Sequence, residues 1–208
     1  MNHFFSEIIN YGLSIDPFEL AGLFFGLMAV WYLIKESIYT WPAGILYVLV
    51  SFIVFWEIQL YGDFLLHIIF LVLNVYGWYF WVNGKKNKEE ELPITTYPLG
   101  QNFVLIVISC IGTIVFGYFL SSIHHWIEME PSSLPYWDAT TSVLSITGIW
   151  LMTKKKLENW YYWIVVDVLA CGIYFYKGIY FYSFLYGLYI IMAFSGLLAW
   201  KKSANLAR

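Results

Sequence analysis

Residues 62–81 read GDFLLHIIFLVLNVYGWYFW, twenty residues whose one charge, Asp63, lies near an edge. A helix of that length rises about 30 Å, the thickness of a bilayer's hydrocarbon core. Six more apolar windows flank it, at 18–35, 41–60, 100–123, 137–153, 160–177 and 179–200. All exceed the roughly 10 residues of a transmembrane β-strand. Composition agrees: of 208 residues 61% are hydrophobic, 22% aromatic and 12% charged, with a mean hydropathy of +0.66. A soluble domain carries about 45–50% apolar and about 25% charged residues. A soluble domain, a disordered chain and a disulfide-stapled miniprotein (there are two Cys) are excluded. A net charge of −3 offers no basic field, so no nucleic-acid partner is expected. The expectation is an all-α integral membrane protein of seven transmembrane helices.

Outside the windows, residues 3–14 (HFFSEIINYGLS) are too short to span and read as an interfacial helix or a plain tail. No Lys or Arg precedes the first apolar run, so no cleavable signal is expected. Lys and Arg divide by loop one against ten: Lys177 on one side, and Lys35, Lys85, Lys86, Lys88, Lys154, Lys155, Lys156, Lys201, Lys202 and Arg208 on the other. The positive-inside rule places the N-terminus outside and the C-terminus in the cytoplasm. Cys110 and Cys171 fall inside windows without CxxC spacing, and each reads as a small buried apolar side chain.

A shift of 119 residues pairs 18–81 with 137–200 without a gap. Glu19 falls on Asp138, Trp31 on Trp150, Lys35 on Lys154, Trp41 on Trp160, Gly77 on Gly196 and Trp81 on Trp200. Interfacial aromatic preference explains each Trp singly, but not the common offset of Trp, Gly, acidic and basic positions together. The implied organisation is a tail (1–17), a three-helix repeat (18–83), a cytoplasmic linker (84–98), a central helix (99–123), a second repeat (137–200) and a cytoplasmic tail (201–208). One unpaired crossing between two three-helix units makes them parallel, 3+1+3. Parallel repeats are a transporter architecture, with substrate held near the midplane between halves.

Polar groups at membrane depth are costly and face a bundle interior or cavity. Asp63, His67, Phe70 and Asn74 recur at i, i+4, i+7 and i+11, and their offset mates are Tyr182, Tyr186, Tyr189 and Ala193. Trp160, Trp163, Asp167, Cys171 and Tyr174 share a face of the sixth window, and Asp167 lies eight positions into it. Its counterpart in the second window runs from Trp41 to Phe55, followed by Gln59. Asp138, Thr141, Ser145 and Gly148 share a face of the fifth window, where Thr141 and Ser145 serve equally well as back-bonds to their own helix. Together the stripes describe a path lined by rings, amides and one buried carboxylate, suited to a small flat cation. His124, His125 and Glu128 do not follow HExxH or HxxEH spacing, and no Walker A sequence is present. No metal, cofactor or ATP site is expected, nor an enzyme. A seven-helix receptor fits the span count, but an internal duplication argues against it.

Two stretches resemble one known family. Glu57-Ile58-Gln59-Leu60-Tyr61 with Asn74-Val75-Tyr76-Gly77-Trp78-Tyr79-Phe80-Trp81 look like the first half of the PnuC family. Tyr136-Trp137-Asp138, Val143-Leu144-Ser145-Ile146 and Glu158-Asn159-Trp160-Tyr161-Tyr162-Trp163-Ile164 look like its second half. The resemblance covers about 18–202. It implies a fold related to SWEET sugar transporters and facilitated diffusion of nicotinamide riboside, with a cytoplasmic kinase trapping the substrate. Relatives with similar motifs carry thiamine or riboflavin. Carried over by motif, the binding positions include Gln59, Asn74, Trp160 and Trp163. The resemblance also implies a departure: nicotinamide riboside carriers often have Asn where this chain has Asp167. The candidate substrate-binding set is therefore Gln59, His67, Asn74, Asp138, Trp160, Trp163, Asp167, Tyr174 and Tyr186. Nicotinamide riboside is the leading substrate, thiamine the alternative, and homo-oligomerisation is left open.

Overall fold

A computed structural model describes residues 2–57, 61–84, 92–122 and 134–206. Gln59, the His124–His125–Glu128 group and Lys85, Lys86 and Lys88 lie outside these residues. Among the described residues there are eight helices and no strand: α1 (Asn2–Ser14), α2 (Pro17–Ile34), α3 (Thr40–Glu57), α4 (Tyr61–Asn83), α5 (Leu99–Ser122), α6 (Pro135–Thr153), α7 (Asn159–Tyr176) and α8 (Tyr180–Leu206). A helix occupies each of the seven apolar windows, and the 3–14 segment is a helix as well.

Five helices (α2, α3, α4, α5 and α8) are long and apolar enough to cross a membrane. The other two, α6 and α7, are as long but carry the polar positions, among them Thr141, Ser145, Thr147 and Asp167. Large apolar side chains such as Leu65, Val72, Ile111, Val165 and Leu198 stand exposed around the outside. On a soluble protein so much exposed apolar surface would be a liability; facing lipid it needs no cover.

Local signals set the helix ends. Asp16 caps α2, its carboxylate accepting from the Phe18 N–H at 2.8 Å and the Glu19 N–H at 3.4 Å, with Pro17 at the first helical position. At the opposite end α2 and α6 stop alike. Lys35 and Lys154 close the last turns with paired bonds to residues two and four back. The next residues, Glu36 and Lys155, take left-handed backbone at φ 55° and 50°. Few non-glycine residues adopt that region, and these two are equivalent under the 119-residue offset.

Packing follows the same offset. Helix α2 packs on α3 and α3 on α4; α6 packs on α7 and α7 on α8; across the middle, α4 meets α6 and α2 meets α8. Trp41 stands edge-on to Trp81 (5.4 Å) and over Gly77, where an added Cβ would lie 2.1 Å from its ring. Trp160 stands edge-on to Trp200 (5.6 Å) and over Gly196, with the matching gap at 2.2 Å. The Trp81 indole N–H donates to the Met152 carbonyl at 3.2 Å, and the Trp200 N–H to the Leu33 carbonyl at 2.9 Å. These contacts are reciprocal between equivalent positions, as at an isologous interface. Between the same loops Lys155 Nζ meets Glu36 Oε2 at 2.8 Å.

Two helices stand outside this pattern: α5 packs on α6, and α1 on α8. The segment before α5 is stapled to the α6–α7 loop. Thr95 exchanges backbone bonds with Lys155 and Leu157, and Glu158 accepts from the Tyr97 N–H at 2.7 Å. Burial lowers the Lys156 pKa there, against the opposing pull of Glu158. Trp41, Trp81, Trp160 and Trp200 are all buried in the core. One expectation needs correction. Cys110, expected to be buried, is exposed, because apolar helices in lipid give no sign of which face turns outward.

Candidate functional site

The polar and aromatic stripes meet at mid-depth between α3 and α4 on one side and α7 and α8 on the other. Asp167 is buried, 6% exposed, and no Lys or Arg pairs with it among the described residues. Tyr186 and Tyr189 of α8 lie close to it, and Tyr47 of α3 lies close to the same two phenols. Burying a carboxylate without a cation is expensive, so this position is available to a positive ligand.

Tyrosines lead to it from the end holding the start of α2. Tyr182 stacks on Tyr174 (5.3 Å), and Tyr174 stacks on Tyr186 (5.4 Å, 13° between planes). Tyr189 follows edge-on to Tyr186 at 5.9 Å. Its hydroxyl rests against Gly26 of α2, where a Cβ would lie 2.8 Å away, so glycine is what allows the approach. Across the gap His67 is buried among Phe55 (4.7 Å), Phe70 (5.1 Å) and Tyr47 (5.7 Å). The ladder starts at Glu19, which accepts from the Tyr11 hydroxyl of α1 at 2.6 Å and from the Tyr182 hydroxyl. Burial and the Glu19 bond raise the Tyr11 pKa well above its ordinary value.

The structure thus brings together His67, Asp167, Tyr174 and Tyr186 of the expected set and leaves others apart. Trp160 is 1% exposed, enclosed with Trp200 at the lysine-bearing end. Asn74 donates to the Phe70 carbonyl of its own helix at 2.8 Å, with its oxygen against Gly44. Trp163 packs against Gly148 of α6, 3.3 Å from where a Cβ would stand. Asp138 is half-buried in the first turn of α6, and Thr141 back-bonds to its carbonyl at 3.0 Å. The sequence reading omitted Tyr47 and Tyr189. Tyr189 already lay on the recognised α8 stripe; the signal for Tyr47 was a lone phenol deep in an apolar window.

Three tyrosine rings stack in a row beside Asp167, and no group of three or more His, Cys, Asp and Glu able to hold a metal exists among the described residues. A family model described as nicotinamide mononucleotide transporter matches residues 16–202. The chain belongs to this family, which includes PnuC. It is 28% identical over 212 residues to the nicotinamide riboside transporter PnuC of Escherichia coli (strain K12), covering 93% of this chain and 89% of that protein. It is 24% identical to the riboflavin/roseoflavin transporter RibM of Streptomyces davaonensis, covering 88% and 83%. The crystal structure of the vitamin B3 transporter PnuC superposes with a TM-score of 0.72 at 21% identity, over 97% of this chain and 88% of that one. The protein is a membrane-embedded vitamin transporter of the PnuC family, and the receptor alternative is set aside.

Proposed function

We propose that this PnuC-family protein carries nicotinamide riboside across the bacterial inner membrane by facilitated diffusion. Its pyridinium would face Asp167 and stack within the Tyr174–Tyr186–Tyr189 group. The observation that carries the reading is the buried Asp167, without a cation, among phenols from both sides of the bundle. Aromatic faces add attraction for a flat cation. The reciprocal Trp81–Met152 and Trp200–Leu33 bonds support two parallel three-helix halves, 3+1+3, that rock about this site. Gln59, Asn74, Asp138, Trp160 and Trp163 enter as further candidate contacts. The lysine asymmetry supports an external N-terminus, and a cytoplasmic kinase would trap the product.

Riboflavin is a second reading, favoured by the similarity to RibM; thiamine, also cationic, fits Asp167 equally well. Titrating the purified protein with the three vitamins, followed by Trp fluorescence, separates them. Tightest binding of nicotinamide riboside is expected; tightest binding of neutral riboflavin overturns the charge argument. Liposomes holding only this protein should equilibrate substrate down its gradient. Accumulation driven by an imposed proton or sodium gradient would refute facilitated diffusion.

A further inference from the structure

Among the described residues the backbone of α5 comes close to that of α6 and of no other helix, which leaves a wedge between α5 and α7. The wedge between them is an open cleft of about 580 Å³, floored by Thr140 and Leu144 of α6 and walled by Ile106, Cys110 and Ile114 of α5 and Tyr161 and Val165 of α7. Its hydroxyls are turned inward. Ser109 shares a hydrogen bond with Thr147 at 3.3 Å and a second contact with Tyr162, and Thr140 donates to the Tyr136 carbonyl at 2.6 Å. What faces the cleft is hydrocarbon. From Ile106 to Ile114 α5 climbs about 12 Å, most of the depth of one leaflet at about 15 Å.

The end of the cleft toward the lysine-bearing side is charged. Lys201 Nζ lies 5.6 Å from the ring centroid of Tyr161, a wall residue, and Lys202 beside it is exposed. An apolar slot about 12 Å long, with an ammonium group beside its wall residue Tyr161, matches one ligand class. We propose that it holds an anionic phospholipid from that leaflet, an acyl chain between α5 and α7 and the phosphate at Lys201 and Lys202. Basic pockets between transmembrane helices recognise anionic headgroups in this way. The lipid would fill the space that α5 leaves against the second three-helix group.

The test is native mass spectrometry of the full-length protein in micelles doped with equal amounts of palmitoyl-oleoyl phosphatidylglycerol and phosphatidylcholine. Phosphatidylglycerol adducts should exceed phosphatidylcholine adducts by about fivefold or more, roughly the gain from one lysine near a membrane surface. Lys201→Gln with Lys202→Gln should bring the ratio close to one. Thr113→Trp, which fills the slot, should remove the retained lipid while leaving vitamin binding unchanged. Equal retention of both lipids by the parent, or a preference that survives both variants, overturns the proposal. An oligomer mass that Thr113→Trp abolishes, with no lipid retained by the parent, assigns the cleft to a second copy of the chain and overturns it too.

Discussion

The helices α2–α4 and α6–α8 are alike where they hold each other and unlike around Asp167. At the lysine-bearing end the Trp–Gly pairs, the left-handed loop residues and the cross-bonds repeat at the same offset. Even the cation–ring contacts recur, Lys35 over Trp31 at 4.4 Å and Lys154 over Trp150 at 4.9 Å. Around Asp167 the equivalents differ. Asp167 corresponds to Val48, Tyr174 to Phe55, Tyr186 to His67 and Tyr189 to Phe70. Gly44 with Asn74 becomes Trp163 with Ala193, a large residue and a small one exchanged between neighbouring helices. Movement about a shared axis needs matched halves, whereas a ligand that is not itself two-fold symmetric needs unmatched ones.

The largest effect should test the matched part. Trp41→Ala and Trp160→Ala each remove a buried ring and should each cost about 3–5 kcal/mol of stability. Unfolding of the two variants in detergent should give similar losses. A loss confined to one of them would mean the two ends of the frame are not equivalent.

Next comes the unmatched part. Asp167→Asn keeps shape and removes charge, and should weaken a cationic vitamin by about 1–3 kcal/mol, roughly 5- to 150-fold. Riboflavin, being neutral, should shift by less than about twofold. Equal losses for both would make Asp167 a structural group and break the contrast with Val48.

Much of this was readable in the sequence because offset and span length are one-dimensional properties. The apolar windows found the helices, and the offset that pairs Lys35 with Lys154 and Trp41 with Trp160 recurs in their contacts. What a stripe cannot report is which neighbour covers it. Trp160 shares a face with Asp167 but lies seven residues before it, in the core beside Trp200, while Asp167 lies near Tyr186. Tyr47 escaped notice because its partners, His67 and Tyr189, come from helices 20 and 142 residues onward. Neither distance leaves a trace in periodicity. Cys110 was misread for a different reason, since with lipid as solvent both faces of α5 are apolar.

A smaller effect concerns the ion pair between the halves. Glu36→Gln leaves the Lys155 ammonium buried without its counter-charge and should cost about 1–2 kcal/mol, less than a fully buried pair because Glu36 is partly exposed. Because the positions are equivalent, exchanging them (Glu36→Lys with Lys155→Glu) should recover more than half of that loss in the same unfolding assay. No recovery would show that the two loops differ in more than name.

The smallest effect lies at the other end, which has no counterpart in the frame. Tyr11→Phe removes the bond to Glu19 and should loosen α1 by about 0.5–1.5 kcal/mol, read as faster amide exchange across α1. The sign with pH is fixed by the raised phenol pKa. The docked helix keeps a proton that the undocked one releases near pH 10, the ordinary tyrosine value. Docking is therefore fully present below that pH and weakens as it rises. Unchanged exchange in the variant would remove Tyr11 from the account of α1.

The pairing of Glu36 with Lys155 has a consequence for the chain cut in two. Two copies of the first three-helix group, docked on this surface, would set carboxylate against carboxylate; two copies of the second would set ammonium against ammonium. Like charges at that spacing repel, so separately expressed fragments have reason to choose each other over themselves. Positions that match in the offset thereby carry opposite charges, a left hand and a right.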